Sequence, residues 1–290
     1  MHHIGRFDET KFAIPAGYEE HAAGFRRQVL VDAAIGAVHM GLNISQLEAG
    51  GRLDNHVHSY EKGFYILEGA VEVNLDGRAY LLDAGDYAVV QVGVANAFRG
   101  AGRRVRWLEM ISPQPRARSV GEDTFFVEAA TWPKKVERPN FGDARTRFVG
   151  HFDDKQLPPP AYLQMDGYSG GNVERISLKM MIDRTLGAQH QTMFTVEFQP
   201  GGAGNVHDHP FEESYFLLSG EADCELDGKK YVVRAGDVVW TSVGGTHGFF
   251  TKGDKPVRWI ETQTPQPPGQ QAFRFQRDWE YMRSHYGHRH

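Results

Sequence analysis

The chain has 290 residues, a formal net charge of −5 and a pI of about 6.3. Its length exceeds the roughly 100–200 residues of a typical domain, which predicts two domains. A weakly acidic chain without a basic stripe lacks the charge that nucleic-acid binding needs, so nucleic acid is excluded as a partner. No apolar run reaches the roughly 18 residues that a membrane span needs, and no membrane association is expected. The single cysteine, Cys224, and the absence of an apolar leader predict a cytoplasmic protein.

The sequence contains two similar halves. Residues 65–90 and 215–240 resemble each other, and His58 matches His209 while Gly69 matches Gly220, each 151 positions apart. The segments "VRWLEMISPQP" and "VRWIETQTPQP" extend the match downstream. A repeat of this length indicates one domain per half.

Each half is predicted to be built from strands. Segments such as "VEVNLDG" and "KYVVRAGDVVW" are short, rich in β-branched residues and bounded by Gly or Asp-Gly. Asp-Gly at 76–77 and 227–228 is typical of tight hairpins. The expected fold is all-β, with two barrels in tandem. The expected domains are residues 1–140 and 165–290, joined by a Pro-rich connector at 141–164.

The second half carries a cluster of metal-ligand residue types. His207 and His209 share one face of a strand because side chains alternate, and Glu213 follows four residues later. His247 follows on a later strand that an antiparallel pairing can bring back to them. Histidine nitrogens with one carboxylate oxygen suit a divalent transition metal.

These spacings resemble the two motifs of the cupin superfamily. Residues 201–220 reproduce the first motif, Gly, five residues, His-x-His, three residues, Glu, six residues, Gly. Residues 236–247 match the second motif, with Ser242 in place of its proline. The resemblance implies a bicupin of two double-stranded β-helix (jelly-roll) barrels. It also implies that His207, His209, Glu213 and His247 bind one metal ion, Fe, Mn, Ni or Zn, in the C-terminal barrel.

The first half has lost part of this ligand set. His56 and His58 remain, but Lys62 and Asn96 stand where the second half has Glu213 and His247. A protonated lysine cannot coordinate a cation and repels it, so this barrel is expected to be metal-free or to bind metal very weakly, with Glu61, one position away, as the alternative ligand. Its role is then structural, or it is a pocket in which Lys62 holds an anionic group.

Further site residues are expected near the metal ligands. The candidate catalytic residues are Glu213 and His190, although a structural role for His190 is left open because the first half keeps its counterpart, His39. Apolar residues with a few polar groups are typical of ligand pockets. The candidate pocket residues are Gln191, Met193, Phe216, Trp240 and Phe249.

The expected function is that of a metal-dependent enzyme acting on a small organic molecule. The chain resembles cupin dioxygenases that cleave quercetin or diketones, which implies a dioxygenase. Non-redox hydrolase, isomerase or lyase chemistry is the alternative, because the bicupin ureidoglycine aminohydrolases have a similar layout with a different ligand set. A non-catalytic ligand-binding cupin is the third reading. Self-association into a homodimer also stays open.

Overall fold

The computed structural model describes residues 1–115, 123–143, 146, 148–160 and 173–267, and the backbone of 274–275. These residues form two antiparallel sheets, each of 10 strands, which confirms the all-β expectation. Among them, none forms a helix long and apolar enough to cross a membrane. Short 3-10 helices lie at Glu9–Lys11, Ala33–Ile35 and Asp154–Gln156.

The first sheet is formed mainly by the first half of the chain. Its strands are β2 Ala22–Val31, β3 Gly41–His58, β4 Glu61–Glu68, β5 Ala70–Leu75, β6 Arg78–Asp83, β7 Asp86–Val90, β8 Asn96–Gly100, β9 Val105–Ser112, β10 Thr124–Phe126 and β11 Val149–His151. Their order in the sheet is β11-β7-β4-β9-β3-β8-β5-β6, with β2 and β10 also paired to β3.

The second sheet repeats this arrangement with strands of the second half and one N-terminal strand. It contains β1 His2–Arg6, β12 Val173–Ile182, β13 Thr192–Asp208, β14 Glu212–Ser219, β15 Glu221–Leu226, β16 Lys229–Arg234, β17 Asp237–Thr241, β18 His247–Phe250, β19 Val257–Thr264 and β20 Arg274–Phe275. The order is β1-β17-β14-β19-β13-β18-β15-β16, with β12 and β20 paired to β13.

Local sequence explains the hairpins that fold each sheet. The Asp-Gly pairs lie in the turns between β5 and β6 and between β15 and β16. All four residues have positive φ, with 51° at Asp76 and 48° at Asp227, followed by 80° at Gly77 and 75° at Gly228. A two-residue turn with positive φ at both positions matches the twist of the flanking strands. The predicted tight hairpins are therefore present.

Each sheet curls around its own aromatic core. In the first, Trp107 stacks on Phe98 with ring centroids 5.2 Å apart, and both side chains are buried. In the second, Trp259 packs against Phe198 and Phe249 at 4.6 and 5.2 Å. These rings face inward with β-branched residues of neighbouring strands, so burial of the barrel interiors drives the fold.

The chain divides into two compact units that exchange short segments. One unit contains residues 7–154 and 181–193, and the other contains residues 1–6 and the described residues of 155–180 and 194–290. The N-terminal strand β1 joins the second unit because it pairs along β17 from His2 to Arg6. The division into 1–140, 141–164 and 165–290 stays a prediction. The structure differs from it in two segments, because residues 1–6 belong to the second unit and residues 181–193 to the first.

Candidate metal centre

Three buried histidines of the second unit lie close together on the inward face of its curled sheet. His207 lies near the end of β13 directly opposite His247 on β18, and His209 follows β13. One ring nitrogen from each of the three lies within 4.8 Å of the others. All three side chains are buried. Strand pairing therefore brings together residues that are 40 positions apart in sequence.

Backbone carbonyl groups fix the orientation of these rings. The Nδ1 atoms of the three histidines lie 2.7–3.0 Å from carbonyl oxygens, those of Asn205, Phe211 and Gly245 respectively. A carbonyl oxygen only accepts, so each Nδ1 carries the proton and leaves the lone pair on Nε2. Histidines that bind metals are held in this way. The donor set therefore fits a divalent metal ion.

Glu213 on β14 supplies the carboxylate. Its Oε2 lies 2.5 Å from Nε2 of His209 and 3.2 Å from Nε2 of His247. The hydroxyl of Tyr215 donates to the same oxygen at 2.5 Å, and the Gln263 side-chain amide donates to Oε1 at 2.5 Å. Glu213 therefore lies next to the histidines in a fixed orientation.

Burial and the neighbouring ionisable groups shift the pKa values of this cluster. Burial, together with the neighbouring histidines His247 and His209, holds the pKa of His207 well below its usual range. Burial and the adjacent Glu213 carboxylate raise the pKa of Glu261 well above its usual range. Burial opposes ionisation of Glu213, but its interactions with His209, Glu261 and His247 lower its pKa. The lowered pKa values of His207 and Glu213 favour a neutral imidazole and an ionised carboxylate, which are the forms that bind a cation.

The predicted pocket residues do not all face this cluster. Phe249 does, since its ring lies 4.6 Å from that of Tyr215 on the inward face. Trp240 is the cross-strand partner of Ser214, whereas Thr241 is the partner of Glu213. Because directly opposed residues share a face and neighbours alternate, Trp240 and Phe216 lie on the opposite face from Glu213. Both are buried there, away from the candidate metal ligands.

The remaining predicted residues belong to the other unit. His190, Gln191 and Met193 lie in the segment 181–193. The backbone NH of His190 donates to Oε1 of Glu61 at 3.2 Å, and a Cβ at Gly63 would lie 2.8 Å from Oε1 of Gln191. The contacts of His190 and Gln191 are thus with the first-half sheet, whereas Met193 is the second residue of β13.

Sequence reasoning missed the residues that hold Glu213. Tyr215 lies two positions after Glu213 on β14, and Gln263 is the cross-strand partner of Glu213 on β19. Glu261 lies two positions before Gln263 and accepts a hydrogen bond from Trp259 Nε1 at 2.9 Å. Strand alternation alone would have identified Tyr215 as an inward neighbour.

The equivalent cluster of the first unit differs from this one both at two ligand positions and at the positions of the residues that orient Glu213. Lys62 donates from Nζ to Oδ1 of Asn96 at 2.8 Å. Phe64 and Ile111 stand where the second half has Tyr215 and Gln263, so the two donors that orient Glu213 have no counterparts. Of the described residues, those that meet the geometry of a metal cluster are the second-half histidines.

The repeated fold matches a known family in both halves. The model of the Cupin domain family matches residues 43–111 and 194–262. These are the regions that form the core strands of the two sheets and carry the two histidine pairs. The chain is a bicupin of the cupin superfamily. The resemblance inferred from the motifs is therefore confirmed.

Several proteins of known name are similar to this bicupin. It is 25% identical to the quercetin 2,3-dioxygenase of Bacillus subtilis (strain 168) over 254 residues, which cover 78% of this chain and 74% of that protein. It is 30% identical to an oxalate-binding protein of Thermotoga maritima over 66 residues, covering 22% of this chain and 54% of that protein. The oxalate decarboxylase structure of Lactobacillus farciminis has a TM-score of 0.67 and 16% identity, covering 98% of this chain and 93% of that one, which shows the shared fold.

Proposed function

We propose that this bicupin is a metal-dependent dioxygenase that acts on a small organic molecule in its second half. The observation that carries the proposal is the convergence of three buried imidazoles, with ring nitrogens within 4.8 Å and Nδ1 groups bound to carbonyls. The similarity to a quercetin dioxygenase along 78% of the chain supports oxygen chemistry.

The chain's own residues suggest how such a centre is held. His207, His209, His247 and Glu213 would bind one divalent ion, with iron, manganese, nickel and zinc as the candidates. When bound, the ion supplies Lewis-acid activation and, if redox-active, electron transfer between substrate and oxygen.

The surrounding residues orient the ligands and keep the interior dry. Tyr215 and Gln263 hold the Glu213 carboxylate by one hydrogen bond to each oxygen. The Phe211 ring stacks on His209 with centroids 3.8 Å apart and an interplanar angle of 8°. Phe249 provides apolar surface next to Tyr215. Burial strengthens electrostatic interactions at the centre and disfavours bulk water there.

Oxygen uptake tests the proposal directly. Protein loaded separately with Fe, Mn, Ni and Zn is mixed with a flavonol, a diketone or a catechol in an oxygen electrode. We expect consumption of oxygen with at least one redox-active metal, and its loss in Glu213→Ala. The matched control is Glu221→Ala, because the side chain of Glu221 is 59% exposed on β15.

The other outcomes separate the alternatives. Substrate turnover without oxygen consumption would refute the dioxygenase and favour a hydrolase, isomerase or lyase. Tight binding of a small molecule without turnover under any metal would favour a non-catalytic binding protein.

A further inference from the structure

Lys62 is a buried cation in the interior of the first unit. Its side chain is 1% exposed, and Nζ donates to Asn96 Oδ1 at 2.8 Å. Nζ also lies 4.9 Å from the centroid of the Phe98 ring. The acidic residue that acts on it, Glu109, already pairs with Arg27 at 2.8 Å. In the described part of the chain, Lys62 therefore has no carboxylate of its own, although a buried charge normally requires one.

Two buried imidazole nitrogens lie in the same cluster. His56 and His58 are 1% and 2% exposed, with ring centroids 4.7 Å apart. Within the described residues, Nε2 of each makes no hydrogen bond. Nδ1 of His56 lies 2.7 Å from the carbonyl oxygen of Asp54, so it carries the proton and Nε2 is an acceptor. A buried acceptor without a donor in this position indicates a binding partner.

The unused hydrogen-bond donors of Lys62 and the acceptor of His56 indicate which chemical groups a ligand would carry. Lys62 has further N–H donors, for which an anionic oxygen is the strongest acceptor, whereas His56 Nε2 can accept from a hydroxyl group. We propose that the first half binds a small oxyanion that carries its own hydroxyl group, such as bicarbonate or glycolate. The anionic oxygen accepts from Lys62 Nζ, and the hydroxyl donates to His56 Nε2.

The electrostatics of the cluster agree with this ligand. Burial lowers the pKa of Lys62 to about 7, with Glu109 opposing and Arg27 adding to the effect. Burial and the charge of Lys62 also hold the pKa of His56 and His58 well below their usual range. An anion beside Nζ would stabilise the ammonium form, as an opposite charge does for any buried group.

The position of the cluster suggests how it arose. His56, His58, Lys62 and Asn96 occupy the positions of the four candidate metal ligands of the second half. An ammonium group in place of a metal ion keeps positive charge at the centre of the barrel, and this charge can still attract an oxyanion. The proposal does not depend on which reaction the second half performs.

Calorimetric titration of the full chain tests the proposal. Glycolate and acetate form a matched pair that differs in the hydroxyl group. Both are titrated at pH 7 into metal-free protein carrying His209→Ala, which removes a candidate ligand from the second half. We expect one glycolate per chain and affinity for acetate about ten-fold lower, the effect of one hydrogen bond to a buried acceptor.

Two variants locate the site. Adding Lys62→Met should abolish detectable binding of both anions. Adding His56→Leu should leave acetate binding in place and remove the preference for glycolate. Equal affinity for glycolate and acetate in the parent protein, unchanged binding in Lys62→Met, or no binding of glycolate at millimolar concentration would each overturn the proposal.

Discussion

Replacing Lys62 with methionine should stabilise the protein at neutral pH. The pKa of this buried amine is lowered from 10.5 to about 7, mainly by burial. Each unit of pH corresponds to about 1.4 kcal/mol, so the charged side chain costs about 5 kcal/mol at most. Methionine has a similar length but leaves Asn96 Oδ1 without its donor, which costs about 1–3 kcal/mol. We therefore expect a net gain of about 2–4 kcal/mol at pH 7.

The stability difference between the wild type and Lys62→Met should depend on pH in a definite direction. Between pH 7 and 10.5 the unfolded chain holds a proton on Lys62 that the folded chain has released. Stability of the wild type should therefore rise across this window, by up to about 1.4 kcal/mol per pH unit, relative to Lys62→Met. The advantage of the variant should shrink accordingly as the pH increases.

Urea unfolding at several pH values from 6 to 10 measures this difference. Lys135→Met is the control, since that side chain is 82% exposed and its loss should change stability by less than about 0.5 kcal/mol. A Lys62→Met protein that is less stable than the wild type, with a difference independent of pH, would refute the reasoning.

Two further substitutions test individual contacts. Tyr215→Phe removes the hydroxyl that donates to Glu213 and should weaken metal affinity about 10–100-fold, measured by chelator competition, whereas Tyr231→Phe should not. Arg27→Met should destabilise the first unit by about 3–5 kcal/mol in urea unfolding, because Glu109 would stay buried without its partner. Unchanged values in either experiment would contradict the role given to that contact.

The internal repeat and the motif spacing were enough to predict the all-β fold and most of the candidate metal ligands. Asp-Gly turns at 76–77 and 227–228 predicted hairpins that the structure contains. His207 and His247 could be grouped from the sequence because antiparallel pairing of β13 and β18 sets them opposite each other.

Other features depend on information that a single strand does not contain. Trp240 and Phe216 were expected at the pocket because they are apolar, but the strands of this sheet bury side chains on both faces. Apolarity then does not tell which face a residue occupies. The assignment of residues 181–193 to the first unit likewise depends on tertiary contacts, such as Gln189 and His190 donating to Glu61.

The most direct test of the proposed metal centre is the metal content of the protein. Untagged protein, purified without metal-affinity resin, is analysed for metals together with His209→Ala, Glu213→Ala and Lys62→Met. We predict about one transition-metal ion per chain in the wild type and in Lys62→Met, and loss of most of it in the two second-half variants. Full metal content in both His209→Ala and Glu213→Ala, or a wild type that binds no metal at all, would contradict it.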